Sequence, residues 1–299
     1  MKNKSSIKNK LDTFQIIVFT VVLIYVLSMI FVLYLGVLNS LKTYDDSIYY
    51  RNFFGFPQEE YGGWQWQNYG SELFNSFRVQ ISGSPQYFYM IDMLINSIIY
   101  SIAVSFATIV CQIMVAYAVS KYDFKGKGVL YTTAIIVMLI PIVGSLPSQM
   151  EVMEFLRLKG SFIGVCVLKS SYTGLYFLVF YAGFKNISST YMEAAQIDGA
   201  GHLKIFMTIM VPLLSSTIFA VFILQFIANW NDYYTPMLFV PGRPTIAYGL
   251  FEFKSYPERE AATSLKLSAS IVSCIPIVIV FIIFRNKIMG NIAIGGIKG

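Results

Sequence analysis

Residues 190–212 read TYMEAAQIDGAGHLKIFMTIMVP and place a short, polar, helix-prone segment between two long apolar runs. Thr190 and Glu193 have the spacing of a capping box, in which two side chains satisfy free N–H groups at the start of a helix. The pair therefore predicts a helix that begins at Tyr191.

The second half of this stretch predicts a turn and a new helix. Gly199 and Gly201 can adopt backbone conformations that other residues avoid, so a turn is expected there. Pro212 suits the first turn of the following helix, where its missing N–H costs little. The segment fits either an ordinary loop helix between membrane spans or a helix that docks a soluble partner.

The composition indicates a membrane protein. Of the 299 residues, 56% are hydrophobic and only 13% are charged, whereas charged residues make up about a quarter of a soluble domain. Cys111, Cys166 and Cys274 lie in apolar runs, which favours small buried side chains over metal ligands. His202 is the only histidine, which argues against a histidine-based metal site or a Ser/His triad within this chain.

Six apolar runs predict an all-α membrane protein with six transmembrane helices, because about 20 apolar residues span the hydrocarbon core. The runs cover residues 13–40, 94–119, 129–146, 162–184, 211–233 and 265–284. The first run is longer than the apolar region of a secretory signal, so we interpret it as an uncleaved span. Pro141 is expected to kink or end the third helix.

The basic residues predict the orientation in the membrane. Six spans put both termini on one side, and that side carries 12 of the 22 basic residues but only four of the 16 acidic ones. Positive charge stays on the cytoplasmic side, so both termini and the Glu193 segment are expected in the cytoplasm. The positive net charge is then a topology signal, and nucleic-acid binding is not expected.

The predicted organisation follows from these spans and charges. Residues 1–12 form a cytoplasmic N-terminus, 13–40 the first transmembrane helix and 41–90 an extracytoplasmic insertion. Residues 91–285 form a five-helix core with a cytoplasmic loop at 188–212, and 286–299 form a cytoplasmic tail. The insertion is rich in aromatic residues, which can stack on sugar rings or form an interfacial belt at headgroup level; we favour the belt.

Polar side chains inside the spans are candidates for function, because a polar group in hydrocarbon is costly unless it faces the bundle interior or a water-filled path. They are Asn96, Gln112, Lys169, Gln225, Asn229 and Lys266. We interpret the two lysines as side chains that snorkel to the interface. Gln225 and Asn229 share one helix face and suit either a path for a hydroxyl-rich solute or an interhelical hydrogen bond.

The chain shows no evident source of energy for transport. It contains no Gly-x-x-x-x-Gly-Lys-Ser/Thr loop for nucleotide phosphates, no paired intramembrane carboxylates and no apparent internal repeat. Ala194 and Ala195 instead offer a small, flat surface beside Glu193, whose carboxylate can pair with an arginine. These residues are suited to docking a soluble partner protein that supplies the energy.

The Glu193 segment resembles the EAA loop of binding-protein-dependent ABC import permeases. Its pattern is Glu193-Ala194-Ala195, three residues, Gly199, nine residues, Ile209, one residue and Val211-Pro212, with valine where the family has leucine. Further motifs are similar to maltose-type sugar permeases: Asn96-Ser97, Ala116-Tyr117-Ala118 before Lys121-Tyr122-Asp123-Phe124-Lys125-Gly126, Asn229-Trp230-Asn231-Asp232 and Gly295-Gly296-Ile297-Lys298-Gly299. The resemblance covers roughly residues 91–299.

This resemblance implies a type I ABC importer permease fold in the cell membrane and a carbohydrate as cargo. We favour an oligosaccharide, and a monosaccharide, a polyol or a sugar phosphate stays open. It implies a heterodimer with a second permease subunit, two cytoplasmic ATPase subunits that hold ATP and Mg, and an extracytoplasmic solute-binding protein that faces the loop at 241–262. No cofactor is expected in this chain, and it is not expected to be an enzyme.

The resemblance also assigns roles to individual residues. ATPase coupling is expected of Glu193, Ala194, Ala195, Asp198, Gly199 and Pro212. Gly296 and Lys298 in the tail are expected to reach the ATPase, and Gln225, Asn229 and Asn231 are candidates for the substrate path. The alternative is a self-contained channel or secondary transporter for a small polar solute. A membrane enzyme is disfavoured because no catalytic constellation is evident.

Overall fold

The computed structural model describes residues 13–49, 51–81, 85–140, 144–253 and 263–292. It divides into two compact units, Met1–Leu73 with Pro257–Ile271, and Phe74–Tyr256 with Val272–Gly299. Helices dominate both units, and the described strands form one short antiparallel pair.

The first unit is built on one long apolar helix, α1 (Thr13–Ser40). Its 28 residues correspond to about 42 Å, which exceeds the ~30 Å hydrocarbon core. The segment that follows contains a π-helical turn (Asp45–Tyr49) and two 3₁₀ turns (Glu59–Tyr61 and Trp66–Tyr69). It packs onto the end of α1, because the Asn68 side-chain amide donates to the Ser40 carbonyl over 2.9 Å.

Short elements lead from this segment to the next long helix. They are α2 (Ser71–Ser76), β1 (Arg78–Gln80) and β2 (Tyr87–Tyr89). The two strands pair antiparallel with Val79 opposite Phe88. The predicted insertion therefore contains regular structure as well as irregular loops.

The second unit is organised around α3 (Met90–Lys121), whose 32 residues span about 48 Å. The helices that follow are α4 (Lys127–Leu139), α5 (Leu146–Phe155), α6 (Phe162–Lys169), α7 (Leu175–Asn186), α8 (Thr190–Ile197), α9 (His202–Ile205), α10 (Val211–Leu213), α11 (Ser215–Trp230), α12 (Tyr234–Phe239), α13 (Ile246–Phe253) and α14 (Thr263–Ile292). A π-helical stretch, Phe206–Met210, joins α9 to α10.

Three helices in the described part of the chain, namely α1, α3 and the Thr263–Phe284 part of α14, are long and apolar enough to cross a membrane. A fourth candidate is the bent pair His202–Leu213 and Ser215–Trp230, whose halves meet at 77°. The described residues thus have a mainly helical membrane architecture with up to four candidate spans, one of which is bent rather than continuous.

Two predicted spans are not continuous helices in the structure. The run at 162–184 is not one helix, because it separates into α6 and α7 around Gly174, whose φ of +136° is not helical. The run at 211–233 does not begin its long helix at residue 211, because the chain bends at Leu214 (φ −99°, ψ 4°) and α11 starts at Ser215.

The third predicted span is shorter than expected. Helix α4 has 13 residues and ends at Leu139, and Ile140 adopts an extended conformation (φ −85°, ψ 119°). A proline disfavours the helical conformation of the residue before it, which explains the end of α4. Pro141, predicted to kink or end this helix, itself lies outside the described residues.

Candidate functional site

The Glu193 segment forms a short helix that ends in a defined turn. Helix α8 is followed by Gly199, whose φ is +75°, as the sequence predicted. The Ala200 N–H donates to the Ala195 carbonyl over 2.9 Å, and the Gly199 N–H donates to the Gln196 carbonyl over 3.0 Å. This pair of bonds is a Schellman motif, which requires a left-handed residue where Gly199 stands.

The start of α8 differs from the sequence prediction. The helix begins at Thr190 rather than Tyr191, and the residue before it, Ser189, makes no side-chain capping bond. The Thr190 N–H instead donates to the Ser188 hydroxyl over 3.3 Å. The predicted capping box between Thr190 and Glu193 is therefore wrong, because a serine two residues upstream already accepts the free N–H group.

One face of α8 is fixed in the protein core. Met192 and Ala195 are buried in a cluster with Phe184, Ile205 and Phe206. The opposite face carries exposed Glu193 and Ile197, the latter 86% exposed. A buried face on so short a helix holds the exposed face in a constant orientation.

A groove of about 610 Å³ runs beside α8. Both predicted alanines line it, with Ala195 only 8% exposed and Ala194 more open. The full lining is Ser188, Thr190, Tyr191, Ala194, Ala195, Asp198 and Ile209. Four small side chains, two larger apolar ones and one carboxylate therefore line a recess that a neighbouring protein can enter.

The segment is attached to the end of α3 by a chain of polar contacts. The Tyr117 and Tyr122 hydroxyls are 3.2 Å apart, and Tyr122 lies 3.0 Å from His202 Nδ1. The Lys121 ammonium donates to the Ile187 carbonyl just before α8. The residues on both sides of the Gly199 turn are thus joined to the same helix end.

The loop after α3 is held by an exposed ion pair between Lys127 and Asp123. The hydrogen bond from Lys127 lowers the pKa of the Asp123 carboxyl below its ordinary value. The two residues are four apart in sequence and exposed to solvent, so their ion pair contributes little to the stability of the whole protein.

Pro212 lies in the first turn of α10, as predicted. The helical run from His202 continues through it and then bends by 77° before α11. Leu214 at the bend packs against α7 at Gly183, where an added Cβ would come within 2.6 Å of Leu214 Cδ1. The absence of a side chain at Gly183 therefore allows the two helices to meet closely at the bend.

Helix α3 also contacts the loop segments at its other end. The Asn96 side-chain amide donates to the Pro244 carbonyl over 3.0 Å, and the Ile246 N–H donates to the Ser97 hydroxyl over 2.7 Å. These bonds hold part of the predicted 241–262 loop; its residues 254–262 lie outside the described part of the chain. One continuous helix thus connects this loop to the Glu193 segment.

A polar seam runs along α3, with spacings of three or four residues that place its members on one face. They are Ser97, Ser101, Ser105, Thr108 and Gln112, all buried. The Asn229 side-chain amide donates to the Ser105 hydroxyl over 2.9 Å, so for Asn229 the second of the two alternatives, an interhelical hydrogen bond, is present.

The other two candidates for the substrate path have different surroundings. Gln225 is half-buried on α11, on the same helix as Asn229. Asn231 is exposed, and its side-chain amide donates to the Ile227 carbonyl one turn earlier over 2.8 Å. The tail residues Gly296 and Lys298 lie outside the described residues.

An ion pair that the sequence reasoning missed lies where α6 and α11 end. Lys169 Nζ is 3.2 Å from Asp232 Oδ2, and the Tyr100 hydroxyl donates to the same oxygen over 3.1 Å. Lys169 therefore has a specific partner, which replaces the snorkelling interpretation. The signal in the sequence was a single lysine inside one apolar run and a single aspartate near the end of another.

Comparisons with known proteins agree with this architecture. Residues 109–292 match the family model described as binding-protein-dependent transport system inner membrane component. The chain is 25% identical over 229 residues to the arabinooligosaccharides transport system permease protein AraQ of Bacillus subtilis (strain 168), covering 76% of this chain and 79% of that protein.

Two further matches extend the comparison. The chain is 29% identical over 209 residues to the trehalose/maltose transport system permease protein MalG of Thermococcus litoralis, covering 68% of this chain and 74% of that protein. A chain in the crystal structure of a bacterial ABC transporter involved in the import of the acidic polysaccharide alginate shares the fold, with a TM-score of 0.74, 20% identity and coverage of 91% of this chain and 95% of that one.

Proposed function

This chain belongs to the binding-protein-dependent transport system inner membrane components, and we propose that it is the membrane-spanning permease subunit of an ATP-driven importer for an oligosaccharide. Membership makes it a multi-pass membrane protein of a transport system. The names of two relatives, for arabinooligosaccharides and for trehalose and maltose, support carbohydrate as the cargo class.

The proposed topology has six spans with both termini in the cytoplasm. The broken pair α6 and α7 forms one span, and the bent run through α10 and α11 forms another. Helix α4 completes the set with α1, α3 and α14. The excess of lysine and arginine on the terminal side supports this orientation.

The observation that carries the coupling proposal is the fixed presentation of α8. Its inner face is buried, its end is locked at Gly199, and its outer face exposes Glu193 and Ile197 beside a groove lined by Ala194 and Asp198. An exposed apolar side chain next to a carboxylate suits a cleft on a soluble subunit that offers apolar surface and an arginine. We assign this cleft to one of two cytoplasmic ATPase subunits, which carry ATP and Mg.

The proposed mechanism transmits ATPase closure through α3. When the ATPase moves α8, the contacts of Tyr117, Tyr122 and Lys121 carry the displacement to the end of α3. The same helix holds the loop around Pro244 and Ile246, which we place toward the solute-binding protein. Rigid movement of this helix against a second permease subunit then alternates access.

The substrate path is proposed along the exposed and half-buried polar residues of α11. Gln225 and Asn231 are the members with accessible side chains, whereas Asn229 is buried and holds Ser105 of α3. Asn229 would then position the path wall, and Gln225 would offer both a hydrogen-bond donor and an acceptor to sugar hydroxyls. Gly296 and Lys298 remain proposed contacts of the tail with the ATPase.

Reconstitution tests this function. The complete set of this chain, a second permease, two ATPase subunits and a solute-binding protein is expected to accumulate an oligosaccharide in liposomes only with ATP and Mg. The purified chain alone is expected to give no flux. Solute flux through the chain alone, without ATP, would instead establish the self-contained channel or secondary transporter.

A further inference from the structure

The segment after α1 carries a row of exposed aromatic rings, here called the aromatic strip, formed by Phe56, Trp64 and Trp66. The ring centroids of Phe56 and Trp64 are 6.2 Å apart, and those of Trp64 and Trp66 are 5.9 Å apart with planes only 13° from parallel. The three side chains are 65%, 43% and 67% exposed. Large rings in a contiguous exposed patch mark a surface that contacts a ligand, a partner protein or the membrane.

The backbone beneath the strip is braced. Gly62 and Gly63 both have positive φ, +100° and +61°, and they form a tight turn immediately before Trp64. The Gln65 N–H, between the two tryptophans, donates to the Leu41 carbonyl over 2.8 Å. The two indoles are thus held on a fixed turn, and a ligand would not have to order this backbone on binding.

The position of the strip along α1 places it outside the hydrocarbon core of the bilayer. Leu41 follows the end of α1 and lies about 22 Å from the helix midpoint at 1.5 Å per residue, whereas the hydrocarbon core ends at about 15 Å. Phe54 lies much deeper, because its ring stacks on Phe31 with centroids 6.4 Å apart, nine residues before the helix ends. Phe54 therefore suits the hydrocarbon core, whereas Trp64 and Trp66, on either side of Gln65, lie at the outer edge of the headgroup region.

The charges around the strip favour a neutral ligand. Residues 52–77 contain no lysine or arginine, while Glu59 and Glu60 are exposed beside the Gly62 turn. Such a surface repels anionic lipid headgroups, phosphates and acidic sugars. The side-chain amides of Gln65 and Gln67, which are 2.7 Å apart, add polar groups next to the rings.

We propose that the aromatic strip is an accessory binding surface for neutral oligosaccharides, separate from the transport path. Aromatic faces pack on the apolar C–H faces of sugar rings, and all three rings of the strip are exposed enough to offer such contacts. The surface raises the local concentration of cargo at the outer side of the transporter. This role rests on the proposed function for the side of the membrane and for the cargo class.

The chain offers a clean spectroscopic test, because it contains three tryptophans and the third is shielded. Trp230 is 2% exposed and its Nε1–H donates to the Ser273 carbonyl. Iodide quenching of tryptophan emission therefore reports mainly the strip. The full-length chain in zwitterionic lipid nanodiscs would be titrated with malto- and arabino-oligosaccharides, and with polygalacturonate as an acidic comparison.

We expect the neutral oligosaccharides to protect the emission from iodide and polygalacturonate to give no protection. Trp66→Ala should weaken the titration roughly tenfold, about the strength of one aromatic stacking contact. Trp66→Phe should retain most of the binding, which excludes misfolding as the cause. Phe54→Ala is the matched control, an exposed ring of the same segment whose loss should leave the titration unchanged.

Two results would overturn the proposal. In the first, lipids brominated on their acyl chains quench the tryptophan emission strongly and no oligosaccharide changes it. This result would make the strip an interfacial belt. The other is equal weakening by Trp66→Ala and Phe54→Ala. ATP-driven uptake by the complete transporter is measured separately. Loss of uptake with an unchanged sugar titration would contradict the proposed function but not the strip. Normal uptake without sugar binding to the strip would contradict the strip but not the proposed function.

Discussion

Gly199→Ala should weaken ATPase coupling without disturbing the membrane subunit. The residue has φ +75°, and an added Cβ would meet no atom within 4 Å, so the effect is backbone strain alone. An L-residue in this left-handed conformation costs about 1–2 kcal/mol. Because the docked state requires this turn, the strain lowers the affinity of the ATPase for the segment by as much as roughly 5–30-fold.

Gly201→Ala provides the matched control for this variant. Gly201 lies two residues further on, has an ordinary φ of −70°, and also has no atom within 4 Å of an added Cβ. Gly199→Asn should fall between the two, since asparagine tolerates the left-handed region better than alanine.

Co-purification of the ATPase with the membrane subunit, together with ATP-driven uptake in liposomes, measures the effect. Membrane insertion of all three variants should equal that of the unchanged protein. If Gly199→Ala and Gly201→Ala retain the ATPase equally well, the reasoning from the turn to docking is refuted.

Two further perturbations test contacts around the coupling helices. Gly183→Val should overpack the bend at Leu214 and lower the free energy of unfolding, measured by thermal denaturation, by about 1–3 kcal/mol. Adding Leu214→Ala should restore most of this free energy. Additive losses in the double variant would contradict the proposed contact. Asp232→Asn should lower the free energy of unfolding by about 1–3 kcal/mol, since the 3.2 Å ion pair with Lys169 is only partly buried. Adding Lys169→Met should restore part of this loss. Strictly additive effects of the two substitutions would contradict the pairing.

The turn at Gly199 could be predicted from sequence because its cause is local. A glycine after a short helix with small residues is a strong signal for a left-handed end. The start of the same helix was misread, because Ser188 and Thr190 are both able to satisfy a free N–H group, and the choice between them depends on geometry. Local chemistry thus fixes the type of motif more reliably than its position.

The continuity of the spans could not be predicted from hydrophobicity. Residues 162–184 are apolar throughout much of their length, yet the backbone at Gly174 leaves the helical region. The bend at Leu214 has no proline or glycine at the bend itself, and it depends on the packing space at Gly183 on another helix. Interruptions of this kind arise from tertiary contacts that no periodic pattern records.

The candidate path and the missed ion pair show the same limit. Sequence spacing placed Gln225 and Asn229 on one face of a helix, but only the structure shows that Asn229 points to Ser105. Lys169 and Asp232 are 63 residues apart, so their pairing follows from how α6 and α11 end beside each other. Intramembrane charges were recognisable, but their partners were not.

The most direct test of the docking of α8 on a separate ATPase is cross-linking of a single cysteine in the assembled transporter. The native cysteines are first replaced by serine, namely Cys111, Cys166 and Cys274. Ile197→Cys, exposed on α8, should cross-link to the ATPase subunit in membranes, and the yield should change when ATP is added. Phe155→Cys, exposed on α5 and on the opposite side of the membrane in the proposed topology, should give none. A cross-link from residue 155 but not from residue 197 would contradict the account.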